Sequence, residues 1–184
     1  MVKGSIPINV PNTLTLLRIL LTPLFAIFLI KHLWNFALLV FAIAAVSDAA
    51  DGLVARLFRQ RTTLGSFLDP AADKLLLITA FLTLAVQELI PSWLTVIVIS
   101  RDVIILSGVA LLTITGRAFV PEPSILSKIT TVAQLASVIS VLLTYHAPRM
   151  NHIHAPLFWF TAGMTMVSGF QYIYRGMNIL QEEA

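Results

Sequence analysis

Residues 48–73 read D-A-A-D-G-L-V-A-R (Asp48–Arg56), then eight residues, then G-S-F-L-D-P-A-A-D (Gly65–Asp73). On a helix, Asp48, Asp51, Gly52, Ala55 and Arg56 fall at i, i+3, i+4, i+7 and i+8 and share one face. Asp69 and Asp73 stand one turn apart on a following helix. All four carboxylates lie inside or at the mouth of strongly apolar runs, where an ionisable group is costly and marks function by default. Four facing aspartates repel one another and hold protons unless positive charge lies between them. Hard divalent cations match an all-oxygen carboxylate set, and Mg²⁺ leaves room for substrate phosphates. The stretch predicts a metal site inside a membrane.

Composition agrees with that setting. The 184 residues are 58% hydrophobic and 11% charged, against roughly 25% charged in a soluble domain. The length suits a single membrane domain over residues 1–184. A formal net charge of +3, spread without basic clusters, argues against nucleic acid as a partner. The chain has no cysteine, which excludes thiolate catalysis, disulfides and zinc–thiolate sites. The first apolar run follows a polar, Pro-containing dozen residues without a small-x-small cleavage site, so it is expected to be a retained span.

Six apolar runs approach the ~20 residues needed to cross a bilayer: Thr13–Ile30, Phe36–Phe58, Asp69–Glu88, Trp93–Ile114, Ile125–Tyr145 and Pro156–Arg175. The expected fold is an all-α, six-transmembrane-helix bundle. Lys3, Arg56, Arg59, Arg61, Arg117, Lys128 and Arg175 fall on one side, and Lys31 and Arg149 on the other. By the positive-inside rule both termini and the Arg59–Gly65 loop are cytoplasmic. Asp48 then lies about 15 Å below the end of its helix, in a cavity open to the cytoplasm. A multi-pass protein of a bacterial inner or plasma membrane is the expectation. At the N-terminus, Asn12 offers an N-cap and Arg18 a side chain able to snorkel to headgroups.

The same stretch suggests a reaction. One or two divalent ions held by shared carboxylates clamp a diphosphate for in-line attack at phosphorus. Gly52 and Ala55 lack bulk on the aspartate face, so a ligand or a neighbouring backbone can come close. Arg56, at the cytoplasmic edge, suits a phosphate. One carboxylate left partly free of metal can take a proton from an attacking hydroxyl, and Asp73, deepest on the third span, is the natural choice. Helix–helix ion pairing is the competing explanation, but only Arg56 and Lys74 are near enough in sequence to balance four acids.

The pattern D-x2-D-G-x2-A-R-x8-G-x3-D-x3-D resembles the signature of the CDP-alcohol phosphatidyltransferases, and residues 48–73 match it at every fixed position. The likeness extends from Pro11 to about Arg175. It implies a six-helix membrane bundle, usually a homodimer, in which a CDP-linked lipid gives its phosphatidyl group to an alcohol and CMP leaves. By that resemblance Asp48, Asp51, Asp69 and Asp73 bind one or two Mg²⁺ or Mn²⁺ ions, and Asp73 is also the base. Gly52, Ala55, Arg56 and Gly65 line the CDP site.

The resemblance implies CDP-diacylglycerol as donor and leaves two acceptors. Phosphatidylglycerophosphate synthases use sn-glycerol 3-phosphate and tend to carry a further Arg seven or eight residues after the fourth-span Arg, and a second Lys in G-K-x-K-T. This chain has Gly108, Val109 and Thr130 at those positions. A buried dianion needs paired charge, so the I-S-R-D-V and S-K-x-x-T-x-x-Q forms are closer to CMP-forming cardiolipin synthases, whose acceptor is phosphatidylglycerol. Candidate acceptor residues are Arg101, Lys128 and Thr131. Arg101 and Asp102 pair either with each other or with the aspartate site. Ser127, Lys128, Thr131 and Gln134 form a stripe on the fifth span; Ser168, Gln171, Tyr172 and Arg175 form a weaker one on the sixth. Tyr172 and Tyr174 read first as interface aromatics. A non-enzymatic transporter or scaffold is the remaining alternative, and it predicts charge spread through both leaflets. His146, His152 and His154 are expected to be loop residues and make a poor zinc set.

Overall fold

A computed structural model describes residues 10–58, 63–114, 124–145 and 151–181, with side chains described for 15–47, 74–109, 124–145 and 151–178. Six helices follow one another: α1 (Val10–Ile30), α2 (Trp34–Phe58), α3 (Thr63–Val86), α4 (Ser92–Ile114), α5 (Ile125–Thr144) and α6 (Asn151–Gln181). Among the described residues there is no strand. The all-α order is the one expected; several ends differ. α1 begins at Val10, so Asn12 lies inside its first turn and is not its N-cap. Pro11 accounts for the earlier start, because its fixed φ suits a first turn in which its missing N–H would have had no partner. α3 begins at Thr63, which places Gly65 in a helix and not in a loop. α6 begins at Asn151 and takes in His152 and His154, correcting their assignment to a loop. Hydropathy misses these ends because a polar first turn is helical without being apolar.

The chain divides into two compact units, Met1–Thr83 and Leu84–Ala184. In the first, α1 and α2 form an antiparallel hairpin. Phe25 meets Phe41 at 5.3 Å between ring centroids, and Phe28 meets Phe36 at 5.5 Å. The buried face of α1 is Thr15, Arg18, Thr22, Phe25 and Leu29, a run at steps of three and four. Arg18 is 1% exposed and partnered, so it does not snorkel along the surface as expected. The turn into α2 is a Schellman motif: His32 N–H donates to Leu29 O, Leu33 N–H donates to Phe28 O, and His32 takes φ 56°.

The second unit opens with the same device. Glu88, at φ 59°, donates to Ala85 O and Leu89 donates to Leu84 O, ending α3 before Pro91. α6 packs against both α4 and α5. Trp93 meets Trp159 in a tilted pair at 4.8 Å between ring centroids and Arg101 reaches Ser168, so α4 and α6 run parallel. α5 runs antiparallel to α6, with Thr130 bonded to Met164 and Thr144 to His154.

Large apolar side chains remain exposed on each helix, among them Leu20 and Ile27 on α1, Val96 and Leu106 on α4, and Val132 on α5. Such faces mark contact with another apolar phase. Among the described residues, Ser92–Val109 and Ile125–Thr144 are long and apolar enough to cross a membrane, and Thr15–Ile30, Trp34–Ser47 and Lys74–Val86 are shorter apolar stretches.

Candidate functional site

α2 is continuous through residues 48–56 and α3 through 65–73. The backbone therefore has the register that puts Asp48 and Asp51 at i, i+3 and Asp69 and Asp73 at i, i+4. The side chains of these aspartates, and of Gly52, Ala55, Arg56 and Gly65, lie outside the described ones. Their donor chemistry, four carboxylates on two helices, fits a hard divalent cation. Among the described residues no group of three or more histidines, aspartates and glutamates converges on a metal position.

In the second unit, a cluster of described polar side chains is built around Arg101, on α4. Its guanidinium is 5% exposed and ties three helices together. Nη1 donates to Asp102 Oδ1 at 2.8 Å, one of the two pairings left open in the sequence. Nη2 donates to Ser127 Oγ on α5 at 2.7 Å and to Ser168 Oγ on α6 at 2.9 Å. The Tyr172 ring lies 5.6 Å from Cζ, within cation–π range. Tyr172 is thus an arginine partner, while Tyr174, 62% exposed, fits the interface reading. Nε is buried and has no hydrogen-bond partner among the described residues. Ser127 has a second task, because its N–H donates to Ser124 Oγ, the N-cap of α5.

Of the other acceptor candidates, Lys128 is exposed and Thr131 is half-buried, its hydroxyl donating to Ser127 O at 3.1 Å. Thr130, the position of the missing second cation, is fully buried and donates toward both Leu126 O and Met164 O. It lies in a polar seam between α5 and α6, of which the stripe expected on the fifth span includes Gln134 but not its α6 partners. Gln134 Nε2 donates to Thr165 Oγ1 at 3.4 Å, and Ser137 meets Thr161 at 2.9 Å. Thr144 meets His154 Nε2 at 2.8 Å. Thr144 already donates its proton to Ser140 O, so the ring nitrogen is the donor in that last contact. The signal was present in the sequence as hydroxyl and amide residues at 130, 134, 137, 140 and 144, and at 161, 165 and 168, spaced by three and four.

The chain that carries these aspartates and this polar cluster matches a known family. The model of the CDP-alcohol phosphatidyltransferases covers residues 8–167. The chain belongs to this family. Human cardiolipin synthase (CMP-forming) is 35% identical over 195 residues, covering 95% of this chain and 64% of the relative. CDP-diacylglycerol–glycerol-3-phosphate 3-phosphatidyltransferase of Bacillus subtilis (strain 168) is 33% identical over 193 residues, covering 94% and 97%. A protein of the same name from Pseudomonas fluorescens is 44% identical over 103 residues, covering 53% of this chain and 52% of its own length. These relatives thus carry two different names at nearly equal identity over most of the chain. Which acceptor this chain uses has to be argued from its own residues.

Proposed function

We propose that the protein transfers the phosphatidyl group of CDP-diacylglycerol to the glycerol hydroxyl of phosphatidylglycerol, forming cardiolipin and releasing CMP. The observation that carries the choice of acceptor is the charge balance around Arg101. Its guanidinium is already matched by Asp102, and position 130 holds a buried Thr bonded to the α6 backbone. A nearly neutral cluster suits the singly charged phosphodiester of a lipid better than the dianion of glycerol 3-phosphate, which needs paired cations when desolvated. The second reading, glycerol 3-phosphate as acceptor, is favoured by the Bacillus subtilis relative, which this chain covers almost end to end.

In this reading Asp48, Asp51, Asp69 and Asp73 hold one or two Mg²⁺ or Mn²⁺ ions. When bound, the metal supplies positive charge against the diphosphate. Gly52, Ala55, Arg56 and Gly65 form the CDP seat, the small residues admitting the nucleotide and Arg56 pairing with a phosphate. Asp73 takes the proton of the acceptor hydroxyl. The hydroxyl oxygen forms a bond to the phosphorus that carries diacylglycerol, and the bond from that phosphorus to the CMP oxygen breaks with its electron pair. Arg101, Lys128 and Thr131 receive the acceptor. Both units belong to one catalytic domain over residues 1–184, which crosses the membrane six times. Both termini and the site face the cytoplasm, in a bacterial inner or plasma membrane, and the active form is a homodimer. Exposed apolar faces on every helix support the six spans.

The test is a substrate assay on purified protein in lipid with CDP-diacylglycerol and Mg²⁺ or Mn²⁺, offering the two acceptors separately. Cardiolipin is expected from phosphatidylglycerol, and excess EDTA should abolish turnover until metal is returned. Phosphatidylglycerophosphate from glycerol 3-phosphate, without cardiolipin, overturns the choice of acceptor. CMP release in excess EDTA overturns the metal assignment.

A further inference from the structure

The geometry points to α6 as the element that positions the acceptor's phosphate, acting through Arg101 with Ser168 as the positioning residue and Tyr172 as its support. This rests on the assignment of Arg101 to acceptor recognition. An arginine has five N–H hydrogens. Here two from Nη2 go to Ser127 and Ser168 and one from Nη1 goes to Asp102. With Nη2 held from two helices the guanidinium plane is fixed; the hydrogens left are the second on Nη1 and the one on Nε, a buried atom with no partner among the described residues. An anion arriving there meets a pre-set donor and does not have to order a flexible side chain.

The composition of the α6 face fits this task. Ser168 and Tyr172 are one turn apart and approach the same guanidinium. Between them, Gly169 lies against the arginine stem: a Cβ added there would make ordinary contact with Arg101 Cγ at 3.5 Å. Ser168 and Tyr172 hold the cation by a hydroxyl and a ring, neither of which brings a negative charge that would compete with the acceptor. Asp102 is the single carboxylate on Arg101 among the described residues. α6 therefore orients the charge without neutralising it further.

The experiment measures KM for donor and acceptor separately, using whichever of phosphatidylglycerol and glycerol 3-phosphate is turned over. Ser168→Ala should raise acceptor KM about ten-fold, the scale of one hydrogen bond to a charged group, with kcat and donor KM within about two-fold. Ser168→Thr should restore it. Tyr172→Leu should raise acceptor KM, and Tyr172→Phe should not; this pair keeps the proposal testable if Ser168→Ala does not fold. Arg101→Lys should raise acceptor KM more than either, and adding Ser168→Ala to it should cause no further rise. A Ser168→Ala effect that persists in full in the Arg101→Lys background, or that falls on kcat or donor KM, overturns the positioning role. So does an unchanged acceptor KM in Ser168→Ala and Tyr172→Leu while Arg101→Lys raises it, which leaves the Arg101 assignment standing. An unchanged acceptor KM in Arg101→Lys removes that assignment, and the inference with it.

Discussion

Replacing Asp73 by Asn keeps the size and removes the basic oxygen, so it separates binding from proton transfer. Asp73→Asn should still bind CDP-diacylglycerol with metal and lose CMP release by at least ~10²-fold, the usual worth of a placed general base. Single-turnover CMP release beside an equilibrium binding assay checks both halves, and near-normal release would remove Asp73 as the base. Gln134 makes the opposite case. It is fully buried, its Oε1 has no partner among the described residues, and Thr165, which receives its Nε2, already donates to Thr161 O. Gln134→Leu therefore orphans no donor, and the thermal midpoint in detergent should stay level or rise, by up to about 1 kcal/mol of stability. A fall of several degrees would mean that the amide is satisfied by a group such as buried water. At this scale the sequence was most informative where charge was out of place: the aspartates and Arg101–Asp102 stand out in apolar runs. Tyr172 did not stand out, since a tyrosine near the end of an apolar span has the same sequence signature whether it faces headgroups or a guanidinium. Arg18 was misread for a related reason, because a long cation near a helix end can either snorkel or turn inward.

Both Schellman turns place a residue with a side chain where glycine is easiest. His32 and Glu88 occupy left-handed backbone at φ 56° and 59°, a conformation costing roughly 1–2 kcal/mol in a non-glycine residue. His32→Gly and Glu88→Gly should each raise unfolding stability by about 0.5–1 kcal/mol once glycine's own entropy is set against that cost. Thermal midpoints of the single variants and of the pair check this, and a drop in either would show that the native side chain supplies a stabilising contact. All six helices could be read from hydropathy, because each carries a long apolar stretch. Their ends could not, since the first turns of α3 and α6 are polar and are held by backbone hydrogen bonds that hydropathy does not register. The left-handed turns were likewise invisible, as neither His32 nor Glu88 is a usual turn residue.

For the molecule as a whole, the absence of cysteine makes topology directly measurable. With six spans, single cysteines at Ser5 and Glu183 should react from one side of a sealed vesicle, and those at His32 and Asn151 from the other. Labelling of Ser5→Cys and Glu183→Cys from opposite faces would demand an odd number of crossings. The α5–α6 seam has a mechanical consequence. Its contacts run from Thr130 with Met164 to Thr144 with His154, about 21 Å along α5 at 1.5 Å per residue. These hydroxyls and amide meet counterparts on the facing helix, so sliding one helix along the other by a single residue would unseat several of them together. The pair therefore behaves as a locked rack. In a thinner or thicker bilayer it should lean as a rigid strut and keep its registry.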